Sequence, residues 1–317
     1  ERVIAFDILP ARQQLSGVRY VVGDVLDKEL VKTLMKEVEY VHHNAALVPL
    51  TKAGEGFQRV NVGGTRVILE LCKEFNIKKL VYMSSSAIYG VPTDVPVTDQ
   101  TDCKPIEAYG QSKLDAEELV RAYMAAGGAA ACIRPRTIIG GKSRLGIFSI
   151  LFEWISKGKK IYVIGDGSNL FQFVHVQDLI EAEYKATFSP HSGLYNIGAA
   201  TYGTLRQDLE ALIRHAGTRS RVVSLPVTAT KVALWLADLL RLSPLAPWHY
   251  LTYHKPFAFD ISKAQRELGW QPAFSNVEAL IESYEWYLSH KNDGSDDASI
   301  HTKPVAQGLL KILQWFS

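Results

Sequence analysis

Tyr109 and Lys113 stand four residues apart near the start of YGQSKLDAEELVRAYMAA. That segment reads as a helix, so both side chains leave one face a turn apart. A free phenol titrates near ~10, too high for efficient proton exchange at neutral pH. An ammonium one turn away favours the phenolate and lowers that value. Tyr109 could then give a proton to, or take one from, a hydroxyl or carbonyl oxygen. Ser84, Ser85 and Ser86 lie a loop upstream, and a hydroxyl among them could hold the same oxygen in place. What is left to move is a hydride. No side chain carries one, so the constellation implies a nicotinamide cofactor.

The elements that position these residues follow from the flanking sequence. Val81, Tyr82 and Met83 close an apolar run that reads as a buried strand. The three serines therefore sit at a strand's carboxyl end, where open α/β sheets place their chemistry. The Tyr-x-x-x-Lys spacing alone is not specific, because Tyr287 and Lys291 repeat it as a helix surface pair. The first pair differs in having a serine-tipped strand and a Gly turn before it. SSSAIYG followed by YGQSK resembles the extended short-chain dehydrogenase/reductase family, the group that includes NAD-dependent epimerases and dehydratases. The resemblance covers about residues 1–290. It implies that Ser85 is the catalytic hydroxyl and Tyr109 the acid/base. Lys113 would lower the Tyr pKa and hold the nicotinamide ribose, and Ser86 would lie beside the substrate.

Arg2–Phe6 reads as a strand with Asp7 at its tip. An acid there can accept hydrogen bonds from ribose hydroxyls and repels a 2′-phosphate, which favours NAD over NADP. Val18–Val22 is the next strand, and the resemblance assigns Asp24 and Val25 after it to the adenine. Asp27 is placed to cap the amphipathic helix KELVKTLMKEV. Tyr40–His43 runs into Asn44, Ala45 and Ala46, small residues that let the backbone approach a cofactor closely. EGFQRVNVGGTRVILELCKEFN reads as a long helix. It resembles the family's N-x-x-G-T helix, which implies that Asn61 secures the backbone beside the active site. Ala129–Arg134 is a further strand, ended by Pro135, which cannot donate to a ladder. In relatives this turn lies against the nicotinamide, implying Pro135 and Ile138 as cofactor neighbours. Strands alternating with helices indicate an α/β fold, a Rossmann-type doubly wound parallel sheet.

A dinucleotide-binding half should begin with a strand, a Gly-rich turn and a helix. This chain enters at once into RVIAFD, and no G-x-x-G-x-x-G turn occurs in it. The expectation is a sheet lacking its first βα unit. Binding of NAD should then be weak, because the pyrophosphate loses its helix N-terminus. Residues 1–140 are read as the dinucleotide-binding domain, incomplete at its N-terminus. Residues 141–290 form mainly a smaller substrate-binding lobe, with some segments returning to the sheet, and residues 291–317 a linker and an amphipathic helix.

Substrate class turns on Phe171, in GDGSNLFQFVHVQD. Nucleotide-sugar relatives carry an Arg there, a phosphate clamp suited to bidentate contacts. An apolar ring in its place points to NAD-dependent oxidation of a secondary alcohol on a hydrophobic, sterol- or hydroxysteroid-like small molecule. The alternative is a nucleotide-sugar 4-epimerase or dehydratase, and a third reading is a non-catalytic cofactor-binding scaffold.

At 317 residues and 47% hydrophobic, the chain can bury a large core. A net charge of +2 without a basic block excludes a nucleic-acid partner. Cys72, Cys103 and Cys132 show neither metal nor redox spacing, which suggests a reducing compartment and no metal. No signal peptide or membrane-length apolar run is visible, so the expected location is cytoplasmic. Val305, Leu309, Ile312 and Phe316 share helical spacing near the C-terminus. Peripheral membrane contact, a dimer contact and lobe docking are all open for that helix. Relatives suggest a homodimer built on the helices over residues 54–76 and 109–126, by analogy alone.

Overall fold

Short apolar strands in parallel, each followed by a helix, build the frame of this structure. The computed structural model describes residues 2–11, 13–51, 53–140, 145, 148–239 and 252–291. Strand β1 (Val3–Asp7) pairs in parallel with β2 (Val18–Val22). A second parallel ladder runs in the order β3 (Tyr40–His43), β4 (Lys79–Met83), β5 (Ala130–Pro135), β9 (Gly193–Ile197). Among the described residues no ladder joins the first pair to these four.

Every residue of β5 and all of β4 but Met83 are buried, as expected of parallel strands covered on both faces. The pleat sends alternate side chains to opposite layers. Leu80, Tyr82, Ala130 and Cys132 meet α1 (Lys28–Met35), α2 (Gly63–Glu74) and α3 (Ala108–Ala125) through Val31, Leu71, Cys72 and Val120. On the other side Val81, Ala131, Ile133 and Tyr195 meet Leu179, Ala182 and Ala186 of α5 (Val176–Phe188). Asp27 caps α1 as expected, its Oδ1 accepting the Leu30 N–H at 3.1 Å. The long helix expected around residue 60 is divided, because a π-helical turn over Gln58–Val62 precedes α2. Gly64 opens the way for α2 to pack closely: a Cβ there would lie 2.7 Å from Val25 Cγ1.

Beyond β5 a second core forms. Two parallel pairs, β6 (Thr137–Ile139) with β8 (Phe173–His175) and β7 (Ile161–Ile164) with β10 (Val222–Leu225), support it. Phe152 and Trp154 of α4 (Phe148–Ser156), Leu212 of α6 (Leu205–Ala216) and Tyr284 of the helix Asn276–His290 pack there around Phe171 and Phe173. Asp178 of α5 ties the two regions: its carboxylate accepts the Ala273 N–H at 2.8 Å and the Phe274 N–H at 3.1 Å. Trp270, fully buried, donates its indole N–H to the Asp178 carbonyl at 2.9 Å.

Among the described residues, no helix is long and apolar enough to cross a membrane. No cluster of three His, Cys, Asp or Glu residues there could hold a metal. The linker over 292–299 and the C-terminal helix expected over 300–317 lie outside the described residues.

Candidate active site

Ser84 continues β4 by donating its N–H to the Ile133 carbonyl at 2.8 Å. Ser85 stays extended (φ −161°, ψ 150°), and its hydroxyl accepts the Ala87 N–H at 3.2 Å, capping the 3₁₀ turn Ser86–Tyr89. The facing helix α3 is capped by the Glu107 carboxylate, which accepts from Tyr109 N–H at 3.3 Å and Gly110 N–H at 2.9 Å. That cap fixes Tyr109 in the first turn, with its ring edge-on to Phe57 at 5.9 Å. Gly110 allows the two pieces to touch: a Cβ on it would stand 2.7 Å from the Ala87 carbonyl oxygen.

Lys113, 2% exposed, completes the brace. Its ammonium donates to the Met83 carbonyl and lies 4.5 Å from the centre of the Tyr82 ring. Burial pulls the Lys113 pKa down to about 7, outweighing the opposing influence of the Glu117 carboxylate. Asn61 acts as expected. Its carbonyl oxygen accepts the Leu47 N–H at 2.7 Å, and its amide donates to the Leu47 carbonyl at 3.2 Å and to Ser112 Oγ at 2.9 Å.

Ser85, Ser86, Tyr109, Lys113, Asn44, Ala46, Pro135 and Ile138 all line one cleft of about 470 Å³. The lining fits the nicotinamide end of a dinucleotide. Pro135 and Ile138 offer an apolar wall to a flat ring, and small Ala46 permits close approach of backbone. Asp7, Asp24 and Val25 do not line this cleft; Asp7 is exposed, and its Oδ1 accepts the Leu9 N–H at 2.9 Å. Asp24 likewise uses Oδ1 to accept the Leu26 N–H at 3.0 Å. Val25 is buried beneath Gly64, and Ala45 is exposed beside Asn44 without lining the cleft.

Phe171 is placed differently from the expectation. It is 2% exposed, packs on Phe173 and Tyr253 with ring centres 5.1 and 5.0 Å away, and does not line the cleft. Its ring therefore carries no information about substrate polarity, and the argument for a hydrophobic substrate loses its footing. A second, apolar cavity of about 280 Å³ shares Phe148 and Tyr253 with the cleft and extends among Trp154, Ile161, Leu209 and Leu234.

Several residues escaped the sequence reading. Glu117 and Arg134, both fully buried, form an ion pair directly beneath Ser84. Glu117 accepts from Ser84 Oγ at 2.7 Å, Arg134 Nε at 2.9 Å and Arg121 Nη2 at 2.8 Å. Burial alone would raise the Glu117 carboxyl, but the hydrogen bonds and charge of Arg134 hold it below the usual range. Arg134 also donates to the Tyr89 hydroxyl, which donates in turn to Asn196 Oδ1 at 2.9 Å. The available signal was spacing, since Tyr109, Lys113 and Glu117 step along one helix face. Glu183 lines the cleft, 7% exposed, with Oε2 accepting from Asn44 Nδ2 at 3.4 Å and Oε1 without a hydrogen-bond partner among the described residues. Burial pushes its carboxyl up to about 7, Asn44 opposing. A glutamate in the apolar stripe Leu179-Ala182-Ala186 was the sign to look for. Arg136, also in the lining, sits beside Ser86.

Comparison with known proteins gives concordant results. The family model described as the NAD dependent epimerase/dehydratase family matches residues 1–198. The chain is 41% identical over 315 residues to an uncharacterized protein, y4nG, of Sinorhizobium fredii, covering 99% of this chain and 79% of that one. It is 28% identical over 302 residues to a UDP-glucose 4-epimerase of Lactobacillus helveticus, covering 86% of this chain and 85% of the relative. A solved UDP-glucose 4-epimerase of Thermotoga maritima, with UDP-glucose, matches in fold with a TM-score of 0.74 at 22% identity, over 92% of each chain.

Proposed function

Because the chain belongs to the NAD-dependent epimerase/dehydratase family, we propose that it is an NAD-dependent enzyme acting at a secondary alcohol of a nucleotide-linked sugar, in the manner of a 4-epimerase. The relatives with stated activities support this reading over a sterol-like substrate. The observation that carries it is the convergence of Ser85, Tyr109 and buried Lys113 on one cleft.

In this reading bound NAD supplies the hydride acceptor and donor. The chain does the rest. Ser85 Oγ holds the reacting oxygen, and the Tyr109 phenolate takes its proton, the phenol so formed later returning it. The Lys113 ammonium, braced on the Met83 carbonyl, favours the phenolate and contacts the ribose of the dinucleotide. Asn44, Ala46, Pro135 and Ile138 wall the nicotinamide end, while Asp7, Asp24 and Val25 serve the adenosine end. Asp7 selects against a 2′-phosphate by like charge.

The test is conversion of UDP-glucose to UDP-galactose by the chain with added NAD, followed by chromatography of the sugar nucleotides. Tyr109→Phe should lower turnover by roughly 10²–10⁴-fold, the usual worth of a positioned acid/base. Undiminished turnover in that variant, or no binding of any nucleotide sugar to the wild type, would refute the reading.

A further inference from the structure

Two arginines two residues apart meet burial in opposite ways. Arg134 is fully buried and paired with Glu117. Arg136 is 1% exposed, and among the described residues no carboxylate pairs with it. A guanidinium does not shed its charge under ordinary conditions, so an unpaired one in the interior is costly. Its surroundings hold it without neutralising it. The guanidinium carbon lies 4.0 Å from the centre of the Phe257 ring, 4.9 Å from that of Phe171 and 5.8 Å from that of Phe259. Nη1 donates to Ser86 Oγ at 3.2 Å, and Nε has no hydrogen-bond partner among the described residues. Ring faces return only a fraction of what desolvating an ion takes away. Yet Arg136 forms part of the cleft wall with Ser85, Ser86, Thr137 and Tyr109. Arg136 thus presents its positive charge to that cleft.

We propose that Arg136, with Ser86 beside it, binds a carboxylate on the reacting sugar ring, making a nucleotide-linked uronic acid the preferred substrate over the neutral hexose. The inference rests on the nucleotide-sugar reading above and narrows it. Three considerations fix the kind of anion. The planar fork of a guanidinium matches a carboxylate in two parallel hydrogen bonds. Ser86 follows Ser85 directly in the chain, so the cation stands next to the point where the reacting oxygen is held. On a pyranose reacting at C4, the C6 substituent is carried by the adjacent C5, whereas the diphosphate hangs from C1 across the ring. An anion beside Ser85 is thus a C6 carboxylate.

The experiment compares UDP-glucuronate, UDP-glucose and UDP alone, by calorimetric binding and by conversion, with the chain and added NAD. The wild type should bind the glucuronate roughly 10- to 100-fold more tightly than the glucose, the scale of one charged hydrogen-bonded contact. Arg136→Met should bring that ratio close to one, Arg136→Lys should restore part of it, and affinity for UDP alone should not change. Equal affinity of the wild type for both sugars, with UDP-glucose still converted, would overturn the inference and leave the nucleotide-sugar reading standing. A glucuronate preference that survives Arg136→Met would overturn it too. Loss of UDP affinity in that variant would assign the cation to the diphosphate instead. Binding of neither sugar would sink the underlying reading along with it. The wild-type ratio needs no variant, so a poorly folding substitution does not shelter the idea.

Discussion

Glu117→Gln tests the frame beneath the site. The substitution keeps shape and removes charge, leaving the fully buried Arg134 guanidinium without its acid. Five donors now converge on that carboxylate: Ser84 Oγ at 2.7 Å, Arg134 Nε at 2.9 Å, Arg134 Nη2, Arg121 Nε at 3.0 Å and Arg121 Nη2 at 2.8 Å. A glutamine offers one oxygen to them and turns an NH₂ toward at least one donor. Breaking a buried pair by removing one partner costs about 3–5 kcal/mol, a large share of a total stability of about 5–15 kcal/mol. At about 2–4 °C per kcal/mol for domains of 150–250 residues, the melting point should fall by roughly 6–20 °C. Urea unfolding at neutral pH measures the loss directly as a lower midpoint at an unchanged slope. Removing both charges, as Glu117→Gln with Arg134→Met, should recover part of it, since a neutral pair strands no ion. The acid side adds a signature. The Glu117 carboxyl is held below its usual 4.5, so the pair's contribution is present above that pH and fades as pH falls through the lowered value. Glu117→Gln should therefore flatten the acid limb of the stability curve. A single-variant cost under about 1 kcal/mol, or a double variant that loses the full sum of the two singles, would refute this account.

The remaining predictions concern neighbouring groups. His43 is 4% exposed against Thr65 Oγ1 at 2.9 Å, and burial, then the Lys113 charge, pull its pKa down to about 3. The unfolded chain binds that proton from about pH 6.5 downward and the folded chain does not, so stability declines as pH falls from there toward 3. Between pH 7.5 and 5 this amounts to about 2 kcal/mol, which His43→Gln should remove from the pH dependence; an equal loss of urea-unfolding free energy between the two pH values in wild type and variant would contradict it. Gly110→Ala forces a methyl to 2.7 Å from the Ala87 carbonyl oxygen and so parts Tyr109 from Ser85. Turnover should fall by more than roughly 10-fold, with a stability loss of about 1–3 kcal/mol; unchanged kinetics would show that the contact does not set the geometry.

Where the sequence was informative, the cause was local. Strands Val18–Val22 and Tyr40–His43 and the Asp27 cap follow from patterning and capping within a few residues, and each is found where expected. Asn61 was legible through its motif, because the residues that make the motif also make the turn it secures. Phe171 was misleading for the opposite reason: a position in a motif does not say where a ring points once a second core has formed around it. Arg134 and Arg136 show the limit most plainly. Nothing within RPR distinguishes them; the acid that pairs with the first comes from α3 and the aromatic rings around the second come from far along the chain. Glu183 belongs to the same class, a polar residue whose meaning depends on the strand end opposite.

The grip of Lys113 on the Met83 carbonyl, with Gly110 seated on Ala87, joins the end of β4 and the turn after it to the start of α3. Most of residues 91–96 face outward and take no part in that brace. Insertions or deletions there can accordingly be absorbed while Ser85, Tyr109 and Lys113 keep their spacing. A scaffold braced in this way tolerates variation in the connecting segment without moving the side chains that face the cleft.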